Sequence, residues 1–427
     1  MLWKKDTEVE PWVIRFTVGE DYRWDQLLLP FDIAATKAHV AGLVTAGVLE
    51  PDERERIDRS LDVLADRVEN GEIVVSPEQE DCHTVIESFL TSELGDIGRK
   101  VHTGRSRNDQ VLTALRLYLR DRLESIASDT IELGISLCML ATATDDWAMP
   151  GYTHTRQAMP STLGAWAMGY AELLVGDVEN LKATSGRINK SPLGSAAGYG
   201  VPFIDIPRAQ VAASLGFEGI QTHVTSVQLS RGKYELEVTH AIAQLTLTLN
   251  RLASDLILFS SSEFGFVSIP VALTTGSSIM PQKQNPDVLE LVRASHHRVA
   301  AEAQLLLTLP AGLTSGYHRD MQLTKEAVMR SVTVGGDCIS AMNSLLPGLT
   351  FNRKQMEEAM DPEITATHVA MKGVTEGAAF RSAYRAAAAN GHEKISVSEA
   401  LEAYRTEGTP GNSVPAVIWG RLEALQT

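Results

Sequence analysis

Apolar residues recur at helical spacing over most of this chain, and the longest runs lie between about residues 108 and 350. Steps of three or four residues place apolar side chains on one helix face, so the runs predict long helices rather than strands. The run after residue 240 alternates these two steps, which is the spacing of a helix-bundle seam. The three stripes are Leu112, Leu115, Leu119, Leu123 and Ile126; Ile242, Leu245, Leu249, Leu252, Leu256 and Phe259; and Val288, Val292, Ser295, Val299, Ala303 and Leu306.

Long, narrow apolar faces of this kind must be buried against other helices, and a bundle shared between identical subunits would bury them. The pattern is mixed before this region, and after it the helical runs become shorter and are interrupted by Gly and Pro. The sequence therefore predicts a mainly α fold with a long central helical bundle flanked by two smaller, mostly helical domains. We expect an N-terminal domain at 1–107, a central bundle at 108–350 and a C-terminal domain at 351–427.

Local signals refine this pattern near the N-terminus and before the second long helix. Residues 31–49 are alanine-rich and helical in character, and Pro51 opens a further helix. A turn with a short extended piece is expected at 71–77. A helix should then run from about residue 80 to Leu94, where Gly95 stops it. Another helical run is expected to start near Pro160.

Composition and charge exclude several classes of protein. The chain has 427 residues, 44% hydrophobic and 22% charged, which is ordinary for a soluble globular protein. A net charge of −16 argues against a nucleic-acid binder. The three cysteines, Cys82, Cys138 and Cys338, lack metal-type spacing and fit a reducing compartment. No run reaches the ~20 apolar residues of a membrane span, and residues 1–8 do not resemble a signal peptide. We therefore expect a cytoplasmic protein without a membrane partner.

The most distinctive polar stretch is Gly-Ser-Ser-Ile-Met-Pro-Gln-Lys-Gln-Asn-Pro at residues 276–286. Gly and Ser make this loop easy to reshape, and its two prolines resist helix formation. Such a loop could close over an anion and supply Ser277 or Ser278 as a proton carrier. Its composition also fits a plain connector between two helices, so composition alone does not decide.

Three further segments concentrate polar groups. Residues 102–110 carry arginines and amides beside a helix start, where carboxylates bind well, although they also fit a polar helix cap. Residues 149–154 place a threonine and a histidine after Pro150, and the histidine could be structural or an acid-base group. Gln322 and Lys325 share a helix face near Tyr317, which also fits a polar helix start.

Together these segments resemble a known pattern. The loop at 276–286 is similar to the signature loop of the fumarase/aspartase superfamily. The segments at 80–84, 102–111, 149–154, 191–195 and 317–325 appear in the order seen in the argininosuccinate lyase family. The resemblance covers the chain from about Trp12 to Arg381. Its implied reaction is the reversible elimination of argininosuccinate to arginine and fumarate, without a metal ion or organic cofactor. It also implies a homotetramer whose active sites are shared between subunits.

The resemblance assigns roles residue by residue. Ser277 corresponds to the base that removes the proton beside a succinyl carboxylate, and His154 lies near the departing nitrogen. Lys283 would hold the carboxylate, and Glu290 would pair with the histidine. The implied catalytic residues are Ser277, His154, Lys283 and Glu290; the substrate-binding residues are Asn108, Thr153, Asn285, Tyr317, Gln322, Lys325, Arg105 and Ser106.

Three departures from the family pattern keep other functions open. Gln284 replaces a lysine, Thr155-Arg156-Gln157 replaces Leu-Gln-Arg, and Asp21 stands where a substrate-contacting serine is expected. A related lyase acting on another N-substituted aspartate would accommodate these changes. A non-enzymatic structural tetramer, as in some lens crystallins of this family, is the alternative of a different class. The retained Ser277, His154 and Lys283 count against it.

Overall fold

The computed structural model describes residues 10–389 and 395–426, and these residues are mainly helical, as the sequence predicts. The helices are α1 (Pro11–Val18), α2 (Asp21–Thr45), α3 (Pro51–Glu69), α4 (Cys82–Leu94), α5 (Asp96–Lys100), α6 (Arg107–Thr144), α7 (Leu163–Ile188), α8 (Arg208–Ser214), α9 (Val224–Leu229), α10 (Lys233–Phe259), α11 (Asp287–Thr308), α12 (Leu323–Leu345), α13 (Arg353–Glu358), α14 (Ala366–Thr375), α15 (Phe380–Ala389), α16 (Val397–Glu402) and α17 (Pro415–Ala424).

Strands are short and pair only as antiparallel ribbons within the described residues. They are β1 (Ala148–Thr153), β2 (Arg156–Thr162), β3 (Val267–Ser268), β4 (Thr275–Gly276), β5 (Gln284–Asn285) and β6 (Thr350–Phe351). β1 pairs with β2, β3 with β6, and β4 with β5. A 3-10 turn at Arg319–Gln322 leads directly into α12. Among the described residues, these strands therefore shape loops rather than form a hydrophobic core.

One compact unit contains residues 10–124, 182–241 and 299–333. In this unit α2 packs against α3, α4 and α8 and buries Leu28, Leu29 and Ile33. The same helix also buries Asp25 and Asp32, although charged side chains are rarely buried without partners. Their partners define the pocket described below.

The other compact unit contains residues 125–181, 242–298, 334–389 and 395–426. It holds the β1–β2 hairpin, the loop between β4 and β5, and the C-terminal helices. α13 packs against β1, and α14 packs against α15. The two units group the chain by contacts, and the expected division at 1–107, 108–350 and 351–427 stays a prediction.

Two helices begin and end where their sequence signals lie. α4 starts after Asp81, whose carboxylate accepts a hydrogen bond from the Thr84 amide at 2.8 Å. It ends at Gly95, which has a φ of 59° that favours glycine. α11 starts directly after Pro286, as the apolar stripe that follows this residue predicts.

The segment from residue 148 to 162 differs from expectation. A helix was expected near Pro160, but residues 156–162 form β2 and the helix begins at Leu163. Pro150 and Pro160 lie opposite each other in the ribbon. A two-stranded ribbon has free edges, where a missing proline amide costs no ladder hydrogen bond. The proline pair is therefore compatible with strands that sequence reasoning did not predict.

In the segment at 71–77, the expected turn is present at Gly71, and residues 72–76 belong to no helix or strand. The Val75 amide donates to the Gln26 side-chain oxygen at 2.8 Å, so a side chain takes the place of a strand partner. Residues 1–8, which do not resemble a signal peptide in sequence, lie outside the described residues.

The seam from Ile242 to Phe259 is buried within the chain itself. Its members are at most 5% exposed, with Phe259 the most exposed of them. The expectation that this stripe needs a second subunit for burial is therefore wrong, because helices of the same chain cover it. An interface between subunits would therefore have to bury apolar residues other than those of this seam.

Two helices, Asp21–Thr45 and Arg107–Thr144, are long and apolar enough to cross a membrane by length and composition. The apolar window of the first is 61% buried inside the fold. It also carries Asp25, Asp32 and His39, each with a fully buried side chain. These features are those of a core helix in a soluble protein.

Candidate active site

A polar pocket with a cavity volume of about 70 Å³ lies in the first compact unit. It is built where α2, the start of α4, the start of α6 and the turn before α12 converge. Four acidic side chains, four arginine or lysine side chains and one histidine line it, so a ligand would meet both signs of charge. The lining residues are Asp21, Asp25, Glu80, Asp81, His83, Arg107, Asn108, Val111, Arg231, Tyr317, Arg319, Gln322 and Lys325.

Lys325 is the most deeply buried cation of the pocket. Its ammonium lies 2.8 Å from the Asp21 carboxylate and also contacts the Asp25 carboxylate. Burial alone would lower the pKa of Lys325, but the two carboxylates outweigh burial and raise it. Burial likewise favours the neutral form of Asp25, yet Lys325 and His83 hold its pKa below the usual value. Both groups are therefore charged at neutral pH.

Asp21 is more easily protonated than its neighbour Asp25. Burial raises the pKa of its carboxyl to about 6, Lys325 opposes this shift, and Asp25 adds to it. The carboxylate remains 18% exposed, whereas Asp25 is fully buried. Asp21 is therefore the outer and more easily protonated member of the pair.

Arg107 organises the opposite wall of the pocket. Its guanidinium lies 3.0 Å from Glu80, 3.3 Å from Asp81, and donates to the Thr84 hydroxyl at 2.9 Å. Charge-assisted bonds from one guanidinium to several acceptors fix the side chain in one orientation. Arg107 therefore ties the start of α6 to the start of α4.

The turn before α12 closes the pocket through Arg319 and Gln322. Both side chains donate to the Thr17 carbonyl, at 2.6 and 3.0 Å. Arg319 also lies 3.5 Å from Glu80. The Tyr317 ring stacks against the Arg231 guanidinium with 4.9 Å between them. The expected neighbours Tyr317, Gln322 and Lys325 thus lie in one pocket.

His83 presents an unused nitrogen in this pocket. Its Nδ1 lies 2.6 Å from the Asp32 carboxylate, while the buried Nε2 has no partner among the described residues. Burial would lower the pKa of His83, but Asp32 outweighs it and raises the pKa. The Asp32–His83 pair therefore offers a ligand a hydrogen-bond donor whose charge increases as the pH falls.

Asp25, Cys82 and His83 also bring three possible metal-ligand atoms within 4.8 Å of one another. Their chemistry does not suit a cation. Asp25 already contacts the Lys325 ammonium, and His83 Nδ1 contacts Asp32. Burial raises the pKa of the Cys82 thiol well above its ordinary value, so it does not ionise readily. We interpret the group as part of the hydrogen-bond network of the pocket.

The loop between β4 and β5 holds the predicted base in the second unit. The Ser277 oxygen accepts hydrogen bonds from the Met280 amide at 3.1 Å and the Ile279 amide at 3.4 Å. At the base of the loop, the Asn285 side chain donates to the Gly276 carbonyl at 3.4 Å. Ser277 is half-buried while Ser278 and Lys283 are exposed. The two serines therefore differ in environment although they are adjacent in sequence.

His154 lies at the tip of the β1–β2 hairpin, next to Thr153. His154 and Thr155 have φ angles of 52° and 58°, in the left-handed region that non-glycine residues rarely adopt. Two such residues in a two-residue hairpin loop match the twist of the strands, but Asn-Gly is the usual sequence there. Thr153 and His154 are both exposed. The histidine is thus presented outward on a strained turn.

Glu290, the predicted partner of His154, and Gln157, one of the sequence departures, have different surroundings. Glu290 is exposed near the start of α11 and lies 3.9 Å from Arg293. Gln157 bonds the Ala359 carbonyl at 2.7 Å and the Asp361 amide at 2.8 Å, so it fastens the hairpin to a neighbouring turn. The change at Gln157 therefore has a structural explanation.

Arg105 and Ser106, expected to bind substrate, do not line the pocket. Arg105 donates to the Thr36 hydroxyl at 2.9 Å, and the Ser106 hydroxyl accepts from the Asn108 amide at 3.3 Å. Both fit the alternative of a polar helix start. Their substrate-binding roles stay predictions.

Sequence reasoning assigned no role to several pocket residues. It missed Asp25, Glu80, Asp81, His83, Arg231 and Arg319. Asp21 and Asp25 are four residues apart, which places them on one helix face and could have suggested a pair. Nothing in the sequence near Arg231 indicates that it stacks on Tyr317.

Comparison with solved structures defines the class of the protein. A family model described as "Lyase" matches residues 15–301. The fold superposes on a variant of EDDS lyase with bound fumarate at a TM-score of 0.81 and 22% identity, covering 98% of this chain and 91% of that one. It superposes on a class II fumarase from Schistosoma mansoni at 0.74 and 16% identity, covering 88% and 91%. The fold is that of the fumarase/aspartase superfamily of lyases.

Curated relatives narrow the family. Argininosuccinate lyase from Thermotoga neapolitana is 43% identical over 92% of this chain and 99% of its own length. The enzymes of the same name from Sorangium cellulosum and Xanthomonas campestris are 42% and 41% identical, covering 96% and 100% of this chain and 96% and 99% of their own lengths. The chain therefore belongs to the argininosuccinate lyase family.

Proposed function

We propose that this protein catalyses the reversible elimination of L-argininosuccinate to L-arginine and fumarate, a step of arginine biosynthesis. The observation that carries the proposal is identity of 41% to argininosuccinate lyase over the whole chain. The pocket lined by Asn108, Tyr317, Gln322 and Lys325 supports it, because it offers charged and polar groups to an amino-acid end.

The environment of Ser277 supports its role as the base. A neutral hydroxyl removes a proton poorly unless its anion is stabilised. Two backbone amides that donate to the Ser277 oxygen would stabilise an alkoxide there. Removing the proton beside the succinyl carboxylate then forms a carbanion whose charge spreads onto that carboxylate. The Lys283 ammonium and the Asn285 amide are the proposed partners of that charge.

His154 is the proposed group beside the departing guanidinium nitrogen, with Thr153 next to it and Glu290 as its partner. Loss of the amino-acid product requires a proton on that nitrogen, and histidine exchanges protons near neutral pH. The outward position of His154 at the hairpin tip supports contact with a bound substrate. Arg105 and Ser106 would act indirectly, through the helix start that presents Asn108.

We further propose a homotetramer in which each site combines groups of several chains. Exposed leucines on α10 and α11 support assembly, since an identical subunit could cover these apolar side chains. They are Leu247, Leu258, Leu291 and Leu307. Mixing His154→Asn with Lys283→Ala and reassembling them should restore some activity, because hybrid particles regain intact sites. Each variant reassembled alone is the control, and a mixture as inactive as both controls contradicts site sharing.

The direct test of the function is fumarate release from argininosuccinate, followed by ultraviolet absorbance in the presence of a chelator. We expect activity without added metal or cofactor. Activity that disappears with chelator and returns with metal would contradict the cofactor-free reaction. Comparison with other N-substituted aspartates tests the alternative substrate class, which the departures at Asp21 and Thr155–Gln157 allow. The absence of fumarate from any donor would favour a structural protein.

The proposed compartment is the cytoplasm.

A further inference from the structure

The innermost part of the pocket contains two carboxylates for one ammonium. Lys325 is 5% exposed and contacts both Asp21 and Asp25. With all three groups ionised, this cluster carries a net charge of −1. A buried cluster with a net charge is costly unless a further group compensates it. The outer carboxylate, Asp21, is therefore in excess over the ammonium, and the arrangement favours a ligand that places a cationic group beside Asp21.

Asp25 alone is sufficient to hold Lys325. It is fully buried, contacts the ammonium, and accepts a hydrogen bond from the Cys82 amide at 3.3 Å. Asp21 lies farther out at the first residue of α2 and remains partly exposed to the pocket. It thus adds a charge that the packing of Lys325 does not require.

The two nearby arginines do not fully compensate the negative charge of Asp21. Arg319 is close enough to influence Asp21, but its guanidinium is shared with Glu80 and the Thr17 carbonyl. Arg231 also acts on Asp21 through its charge, but it shares that charge with Glu235. The raised pKa of Asp21 agrees with a carboxylate that its surroundings stabilise incompletely.

We propose that Asp21 is a specificity-determining residue that accepts the α-ammonium of the leaving amino acid while the adjacent Lys325 donates to its α-carboxylate. The Lys325 ammonium and the Asp21 carboxylate lie 2.8 Å apart. These adjacent opposite charges match the two charged groups of an amino-acid zwitterion, which are joined by one carbon atom. The inference rests on the proposed function, because it takes the leaving group to be an α-amino acid. A serine, expected here from the family pattern, would leave this end without the additional charge.

The test measures binding of two ligands by calorimetry at pH 7.5 to the assembled full-length protein. L-Arginine carries the α-ammonium, and 5-guanidinopentanoate is the same acid without it. We expect wild type to bind arginine at least tenfold more tightly, and Asp21→Asn to reduce that preference by about tenfold, the usual size of one charge-assisted hydrogen bond. Asp21→Glu, which keeps the charge, should retain part of the preference.

Glu20→Gln is the matched control. Glu20 precedes Asp21, is exposed, and pairs with Arg23 at 2.7 Å outside the pocket lining. The Glu20→Gln variant removes the same formal charge as Asp21→Asn, but from the neighbouring position. We expect its preference for arginine to equal that of wild type, so a change in both variants would indicate a general charge effect and contradict the proposal.

The preference should also depend on pH. The pKa of Asp21 is about 6, so protonation below this value removes the acceptor and the preference should fall toward that of Asp21→Asn. Lys325, Arg319, Arg231 and Asp25 face Asp21 and remain in both proteins. His83 also titrates in the pocket, but it is unchanged in the variant, so the difference between the proteins isolates Asp21.

The outcomes separate this inference from the proposed function. Equal binding of both ligands by wild type overturns the inference whether or not the variants fold. Equal loss of both ligands in Asp21→Asn overturns it too, because Asp21 would then only position Lys325. Fumarate release with no arginine preference leaves the function intact. An Asp21-dependent arginine preference without fumarate release supports the inference and contradicts the function.

Discussion

The pocket around Lys325 and the loop around Ser277 hold their polar groups in opposite environments. In the pocket, charged side chains are buried and paired, with Lys325 5% exposed. In the loop, Lys283 is exposed and two backbone amides donate to Ser277. Buried pairs give fixed positions for binding, whereas an exposed loop can move during reaction. The comparison indicates that the proposed binding groups are buried in the core and that the proposed reactive groups lie on a more exposed loop.

The largest expected effect separates the two serines of the loop. Ser277→Ala should lower kcat by roughly 10²–10⁴-fold, the typical contribution of a positioned acid-base group. Ser278→Ala is the matched control, and it should cost ~1 kcal/mol or less, since one exposed hydroxyl is lost. Steady-state kinetics with argininosuccinate measure both. Because neither side chain packs in the core, both variants should unfold at the same urea concentration as wild type.

The opposite pattern of activity in the two serine variants would assign the role of base to Ser278. If Ser278→Ala is inactive while Ser277→Ala turns over normally, the amide contacts to Ser277 are only structural. If neither change matters, Lys283 or a water molecule must remove the proton.

The second prediction compares the two lysines directly. Lys325→Met leaves the buried Asp25 carboxylate without its ammonium, so the free energy of unfolding should fall by about 3–5 kcal/mol. Lys283→Met removes an exposed charge and should change that free energy by no more than ~0.5 kcal/mol. Both should lose activity. Urea denaturation measures stability, and equal stability of the two variants would contradict the contrast between core and surface.

Sequence reasoning succeeded where signals were local. The helix after Pro286 and the end of α4 at Gly95 were predicted because a proline, a glycine and helical spacing lie within a few residues of each boundary. The grouping of Tyr317, Gln322 and Lys325 was predicted because these residues are neighbours in the chain. The bundle seam was predicted as helix, although its burial within one chain could not be read from spacing.

Other features depended on contacts that spacing does not encode. Lys325 and Asp25 are 300 positions apart, and no local pattern indicates that they form a pair. The hydrogen bond from Arg105 to Thr36 on another helix is likewise not indicated by any local pattern. The hairpin at residues 148–162 carries two prolines and lacks the Asn-Gly turn signal, so periodicity did not reveal it.

The smallest expected effect concerns the strained tip that carries His154. Thr155 is β-branched and has a φ of 58°, which costs a non-glycine residue ~1–2 kcal/mol. Thr155→Gly removes that strain but loses ~0.5–1 kcal/mol through the greater freedom of glycine when unfolded. We therefore expect a net gain of about 0.5–1 kcal/mol, measured as a small rise in Tm.

Thr155→Ala is the control for this change. It removes the same hydroxyl, which donates to the His154 carbonyl at 2.6 Å, but alanine keeps the cost of the left-handed conformation. Thr155→Gly should therefore be more stable than Thr155→Ala. The same glycine should lower kcat slightly, because a less constrained tip holds His154 less firmly. A glycine variant that is less stable than the alanine variant would mean that the tip is not left-handed, and the outward presentation of His154 would need another cause.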